Sequence, residues 1–381
     1  MVQNADAGKA YTQSFSFDED IHSFTKLDLQ TMQSEQVPLT ITVEPGEALV
    51  LFPDRQRIEK MSPKKEAVFA LQNAQVSFVD NYLTLDTVCY SYDGKVFSHP
   101  YPCRGLFQKL LWERYEGPLY LKYDFAVKEI PGRIRVLAET GSTGEQWLNG
   151  VPLQMSMMGQ PLDHTWQADI SQLIRVGQND YTVKLNWHQN EQVYYALFGE
   201  NVTESLLNCI VYDSELEPIY LSGDFGVYSD APYTDDGQYA FGENFYIGKK
   251  PQKITEPIYD GFPFFRGILT VSQKIAFFEG VTHLRVKGTY QSATVRMNGK
   301  LVGTLLFDRT LEIKDYIQAG ENDIQIDFVI SNRNLLGPHH LVDASSRHGV
   351  SPHSWELPNE WVKDEKTGYR ESYELLKLCA D

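Results

Sequence analysis

Residues 294–329 read TVRMNGKLVGTLLFDRTLEIKDYIQAGENDIQIDFV, and this stretch decides the fold class. The alternating run Thr294–Met297 meets Asn298-Gly299, a pair that tolerates the positive φ angles of a tight hairpin turn, and a second apolar run follows. Further on, Gly320-Glu-Asn-Asp323 is a turn ahead of Ile324-Gln-Ile-Asp-Phe328, whose strict period of two buries one face of a strand. The same script runs earlier in the chain. Trp147-Leu-Asn149-Gly150-Val, Asp169-Ile-Ser-Gln-Leu-Ile174, Gly177-Gln-Asn-Asp180 and Tyr181-Thr-Val-Lys-Leu185 repeat it in type and order. A repeat of this size predicts two copies of one β-domain.

The 381 residues are enough for two domains with proper cores. Hydrophobic residues make up 42%, with 22 Tyr and 20 Phe, a β-rich and aromatic-heavy composition. A net charge of −17 argues against a binder of nucleic-acid phosphates, which needs clustered Lys and Arg. Cys89, Cys103, Cys209 and Cys379 lack CxxC spacing, so free thiols are expected, with Cys89 and Cys103 able to pair in an oxidising compartment. No run is apolar enough for a membrane span, and MVQNADAGKAYTQSF lacks the basic head and apolar core of a signal peptide, so no membrane association and, by default, a cytoplasmic location are expected.

Walking outward, residues 1–64 carry strand-like runs at Ile21–Leu29 and Val37–Phe52, a short N-terminal β-segment that must lean on a neighbour or be the edge of a preceding domain. Short strands with regular turn signals from Ala67 to Tyr228 predict a first jelly roll over 65–230. Helical exceptions are expected at Gln108–Arg114 and Glu200–Asp213. Residues 231–260 read as a connector. A second jelly roll over 261–381 carries a long loop, 331–361, under a last strand at Tyr373–Cys379. The expected fold is therefore all-β: two tandem sandwiches behind an N-terminal β-segment.

The strand, Asn-Gly hairpin, D-I-S-Q-L-I and G-Q-N-D series resembles the galactose-binding-like, sugar-binding jelly roll of family 2 and related bacterial glycoside hydrolases. EPIYLSGDFGVY, GFPFFRGILTV and SNRNLLGPHH resemble the C-terminal β-region of large rhamnosidase-like bacterial glycosidases, over roughly residues 65–381. In such enzymes the catalytic carboxylates sit on a separate (β/α)₈ barrel, which this chain does not supply. The resemblance implies a non-catalytic region that binds carbohydrate or supports a catalytic glycosidase domain in cis or in trans. The alternative is a stand-alone carbohydrate-binding or interaction protein.

The chemically densest stretch holds Asn332, Arg333, Asn334, His339 and His340, with His348, His353, Trp355 and Glu356 downstream. Asn and Arg can hydrogen-bond vicinal hydroxyls and Trp offers a flat face to a pyranose, so these residues are the expected ligand site. Against this, a long ordered loop must also satisfy its own backbone, and the same groups can do that. Adjacent histidines on an extended chain point to opposite faces, which speaks against zinc. Glu356 and Glu360 flank Pro358, so no regular helix pairs them as hydrolytic carboxylates. Trp147 and Trp187 sit in alternating strands and are expected in the core, whereas Trp166 lies where jelly-roll sugar sites form. No cofactor is expected: Asp224 and Asp230–Asp236 could offer oxygen to calcium, but their spacing is not that of a calcium loop.

Overall fold

The computed structural model describes residues 1–6, 9–18, 20–29, 32–56, 64–139, 144–158, 165–340 and 371–378. The chain is all-β, with two sandwiches and few helices, as its patterning predicts. The strand Glu321–Ile330 lies between Gly267–Ala276 and Ser292–Met297, antiparallel to both. Its alternation places Val271, Ile326 and Val295 side by side on the buried face. In the first sandwich Gly177–Trp187 holds the same place between Gly117–Val127 and Glu145–Leu148. Both hairpins turn at Asn-Gly with paired positive φ, 51° and 77° at Asn149-Gly150 and 51° and 78° at Asn298-Gly299, the signature of a type I′ turn.

Each sandwich closes with a second sheet. In the first it comprises Ser156–Met157, Trp166–Asp169, Ile134–Ala138, Ile219–Gly223 and Asn81–Leu85; in the second, Thr310–Glu312, His283–Val286 and Glu66–Phe69. The strand order departs from a tandem arrangement. Glu66–Phe69 pairs parallel with His283–Val286, and Ala74–Ser77 pairs antiparallel with Gly267–Ala276, so these strands open the second sandwich although the sequence placed them in the first. The chain then builds the first sandwich and returns at Lys253–Ile254, beside Ala74–Ser77. One sandwich is thus nested in the other. Alternation sets which face of a strand is buried and leaves its sheet partner open.

The stretch read as a connector is itself structured. Phe245–Gly248 joins the first sandwich alongside Gly117–Val127, and Thr234–Asp235, Tyr239–Gly242 and Tyr373–Leu376 form a separate three-stranded sheet. Helices form at Cys103–Trp112, Glu191–Phe198 and Glu204–Asn208; Asn190 caps the second and Thr203 the third. Of these, Glu191–Phe198 was not expected from the sequence. The two sandwiches share one continuous apolar core. At their seam Phe78 meets Phe262 edge to face at 4.9 Å, and the buried Asn81 amide donates to Phe225 O and Gly261 O, at 3.0 and 2.7 Å.

The N-terminal strands fold as a small unit of their own, a four-stranded and a two-stranded sheet around Phe24, Ile41, Val43 and Leu49. It docks on the second sandwich through Lys26–Asp308 at 2.6 Å and Glu44–Arg285 at 3.5 Å. Cys89 and Cys103 are buried and unpaired, and Cys209 is exposed and free; Cys379 lies outside the described residues. Among the described residues no helix is long and apolar enough to cross a membrane.

Candidate functional site

The structure gathers four of the residues read as a ligand loop, and it turns them inward. Arg333 opens a one-turn helix and bonds the buried Glu374 carboxylate at 3.1 Å. The Asn334 side chain pairs with the backbone of Leu376 in both directions, donating at 2.8 Å and accepting at 2.9 Å, so it acts as an extra rung of the three-stranded sheet. His339 packs against Phe264 and Tyr373, and His340 Nε2 lies 3.0 Å from Asp86 Oδ2. The Tyr373 hydroxyl donates to the other oxygen of Asp86. Asn332 is exposed and caps the helix through its backbone, with no side-chain capping bond.

Electrostatics agrees with a closed joint. Burial pushes the His339 imidazole down to about 4, keeping it neutral. Burial would raise Asp86, yet His340, His339 and the Tyr373 hydroxyl together hold its carboxyl below the usual range. The bonds from His340 and Tyr373 to Asp86 tie the first sandwich to the three-stranded sheet, while the buried His339 Nδ1 has no hydrogen-bond partner among the described residues. Trp355 and Glu356, like His348 and His353, lie outside the described residues. Trp166 is half-buried and separated from the Asn81–Leu85 edge by two intervening strands, about 14 Å at ordinary strand spacing, so it does not join the cluster. Trp187 is fully buried, and Trp147 is half-buried in its strand. Among the described residues no group of three or more metal-ligating side chains is found.

One carboxyl stands out. Burial raises Glu217 to about 7, Arg104 opposes the rise, and Glu215 and Glu139 add to it. A raised carboxyl beside others is the raw material of glycoside hydrolysis, but the chemistry also needs a substrate cleft between two of them. Neither of the two cavities described here is lined by Glu139, Glu215 or Glu217.

The feature that does offer a ligand surface is the outer face of the second sandwich. Opposite the buried Val271–Ile326–Val295 row, Gln75, Ser272, Gln325 and Arg296 stand in register across four strands. They line a groove of about 490 Å³ with Asn73 and Lys274. Arg296 is held by Asp327, which also accepts from Thr270 at 2.8 Å and from Gln325 at 3.3 Å. The side chains of Gln75 and Ser272 bond to nothing among the described residues, leaving an amide and a hydroxyl open to a ligand. Sequence reading missed this row. The polar half of the Ile324-Gln-Ile-Asp-Phe alternation signalled it, but the partners on the other strands are remote in the chain.

No family model matches the chain, and no curated protein matches it. Solved structures do align with it. A β-glucuronidase from Ruminococcus gnavus in complex with a C6-substituted uronic isofagomine aligns at a TM-score of 0.27 and 16% identity, over 70% of this chain and 41% of that one. The β-glucuronidase of Bifidobacterium dentium complexed with coumarin-3-O-glucuronide gives 0.26 and 11%, over 70% and 44%. A β-D-glucuronidase from Dictyoglomus thermophilum gives 0.27 and 13%, over 69% and 45%. The chain spans less than half the length of these enzymes. At such scores the likeness assigns neither substrate nor activity to this chain.

Proposed function

We propose that this chain is a non-catalytic, carbohydrate-associated β-sandwich region of a bacterial glycoside hydrolase of the family 2-like or rhamnosidase-like kind, contacting glycan while a separate domain carries the chemistry. The observation that carries the reading is the groove on the outer sheet, where amide, hydroxyl and guanidinium groups are set in one row on a rigid scaffold. Such a row matches the vicinal hydroxyls of a saccharide, each of which both donates and accepts. The doubled jelly-roll unit and the sequence resemblance support it.

Titration calorimetry of neutral oligosaccharides, run beside a chromogenic-glycoside assay, tests the proposal. The expected result is saturable heat with at least one oligosaccharide, weakened about five- to tenfold by Gln325→Ala or Arg296→Ala, and no turnover. A folded sample that binds nothing, or one that hydrolyses a glycoside, would overturn it. A stand-alone binding protein is the second reading, favoured by N-terminal strands that close on a core of their own. A supporting region raises the activity of an added glycosidase barrel, whereas a stand-alone binder leaves it unchanged.

A further inference from the structure

A second cavity lies where the N-terminal unit, the second sandwich and the three-stranded sheet meet, and its chemistry differs from that of the groove. It encloses about 340 Å³ and is lined by Gly46, Tyr239, Thr289, Tyr290, Arg309 and Arg333, among others. Arg309 is only 5% exposed. Its Nη2 makes two long bonds, to Gly46 O at 3.3 Å and Tyr290 O at 3.4 Å, while Nε and Nη1 have no acceptor among the described residues. The guanidinium carbon sits 3.9 Å from the centre of the Tyr290 ring, a cation–π contact that neutralises no charge.

This arginine breaks the pattern of the molecule. Three other sheltered arginines meet carboxylates, Arg135 with Asp80 at 2.9 Å, Arg285 with Glu66 at 2.8 Å and Arg333 with Glu374 at 3.1 Å, whereas the less buried Arg266 has, among the described residues, only the Tyr82 ring at 6.0 Å. In a chain with 51 acidic residues Arg309 has none among the described residues. A buried cation without a counter-charge is costly, and an anion in the adjoining cavity would offset that cost. Gly46 turns at a φ of +70°, and a Cβ there would lie 2.9 Å from Arg309 Nη2.

We propose that this junction is a carboxylate-binding site centred on Arg309, and that its ligand is the acid group of a sugar about the size of a hexuronic acid. Glu374 already balances Arg333, so the site carries one net positive charge, which suits a monocarboxylate better than a phosphate dianion. Tyr239 and Tyr290 help to line the cavity, Tyr290 with one ring face already taken by the Arg309 guanidinium. The carboxylate part stands on the cavity alone; the sugar part rests on the function proposed above.

Thermal melting and calorimetry of the full chain with sodium glucuronate, glucose and sodium acetate test the site. Glucuronate is expected to raise the melting temperature by several degrees at saturation while glucose at the same concentration does not. Arg309→Gln, and Thr289→Trp filling the cavity from its half-buried rim, each weaken glucuronate binding about tenfold or more. If Arg309→Gln does not fold, Thr289→Trp decides, since it leaves the guanidinium in place. Acetate binding as tightly as glucuronate keeps the carboxylate site and removes the sugar, independently of the groove. No carboxylate-dependent shift in the folded wild type, or an undiminished one in either folded variant, overturns the proposal.

Discussion

A half-buried carboxyl and a buried imidazole pull the pH dependence of stability in opposite directions. Glu217 titrates near 7 in the fold against an ordinary 4.5, so the fold favours its protonated form; that contribution is present below pH 4.5 and lost as pH rises to 7. Glu217→Gln should therefore stabilise the protein at pH 8 by roughly 2 kcal/mol and leave it almost unchanged at pH 4. His339 runs the other way. Held near 4 against an ordinary 6.5, it favours the neutral ring, so its contribution is present above pH 6.5 and lost as pH falls to 4. His339→Gln should flatten the stability curve across that window by on the order of 3 kcal/mol, once its packing loss is subtracted at pH 8. Urea melts of both variants at four pH values read these slopes; parallel curves for variant and wild type would contradict the assignment. The histidines could be singled out in the sequence for their density. That His340 bonds Asp86 and His339 packs on Tyr373 depends on residues the fold brings from far away.

At the scale of the element, the repeated motif turns out to be a lock. Asn322 is fully buried; its oxygen accepts from Gln318 N at 2.7 Å and Asn298 Nδ2 at 2.8 Å, and its amide donates to Gln318 O and Gly320 O, both at 3.1 Å. Asn179 repeats every bond, with Arg175 N at 3.0 Å, Asn149 Nδ2 at 2.8 Å, Arg175 O at 2.7 Å and Gly177 O at 3.1 Å. One side chain thus fastens an Asn-Gly hairpin to the turn that feeds the central strand. Removing it strands several buried partners, so Asn322→Ala and Asn179→Ala should each cost about 3 kcal/mol in chemical denaturation. A near-neutral result for one of them would break the equivalence of the two copies. The hairpin and the turn were each legible because their own residues are contiguous; the bond that joins them, across 24 residues in one copy and 30 in the other, was not.

Over the whole molecule, the continuous core through both sandwiches predicts a single cooperative melt for residues 64–378, nested connectivity included. Among the described residues the N-terminal unit has a small core, four buried residues with five partly buried ones packed on them, and it is held by ion pairs and a few hydrogen bonds, each worth about 1 kcal/mol or less. Calorimetry should show a small early transition that disappears when the chain is truncated to start at residue 64; one indivisible peak in the full chain would show that the docking contacts couple the units more strongly than this.

Contiguous residues determined the all-β class, both Asn-Gly turns and the duplicated unit, since φ preference, two-residue alternation and short-range hydrogen bonds are local properties. Tertiary structure alone decided that Glu66–Phe69 and Ala74–Ser77 join the later sandwich, that Gln75, Ser272, Gln325 and Arg296 form one row, and that Arg309 lines a cavity with no carboxylate beside it among the described residues. Each of these is a pairing between distant segments, and a strand's own pattern is compatible with many partners until the global packing of the core selects one.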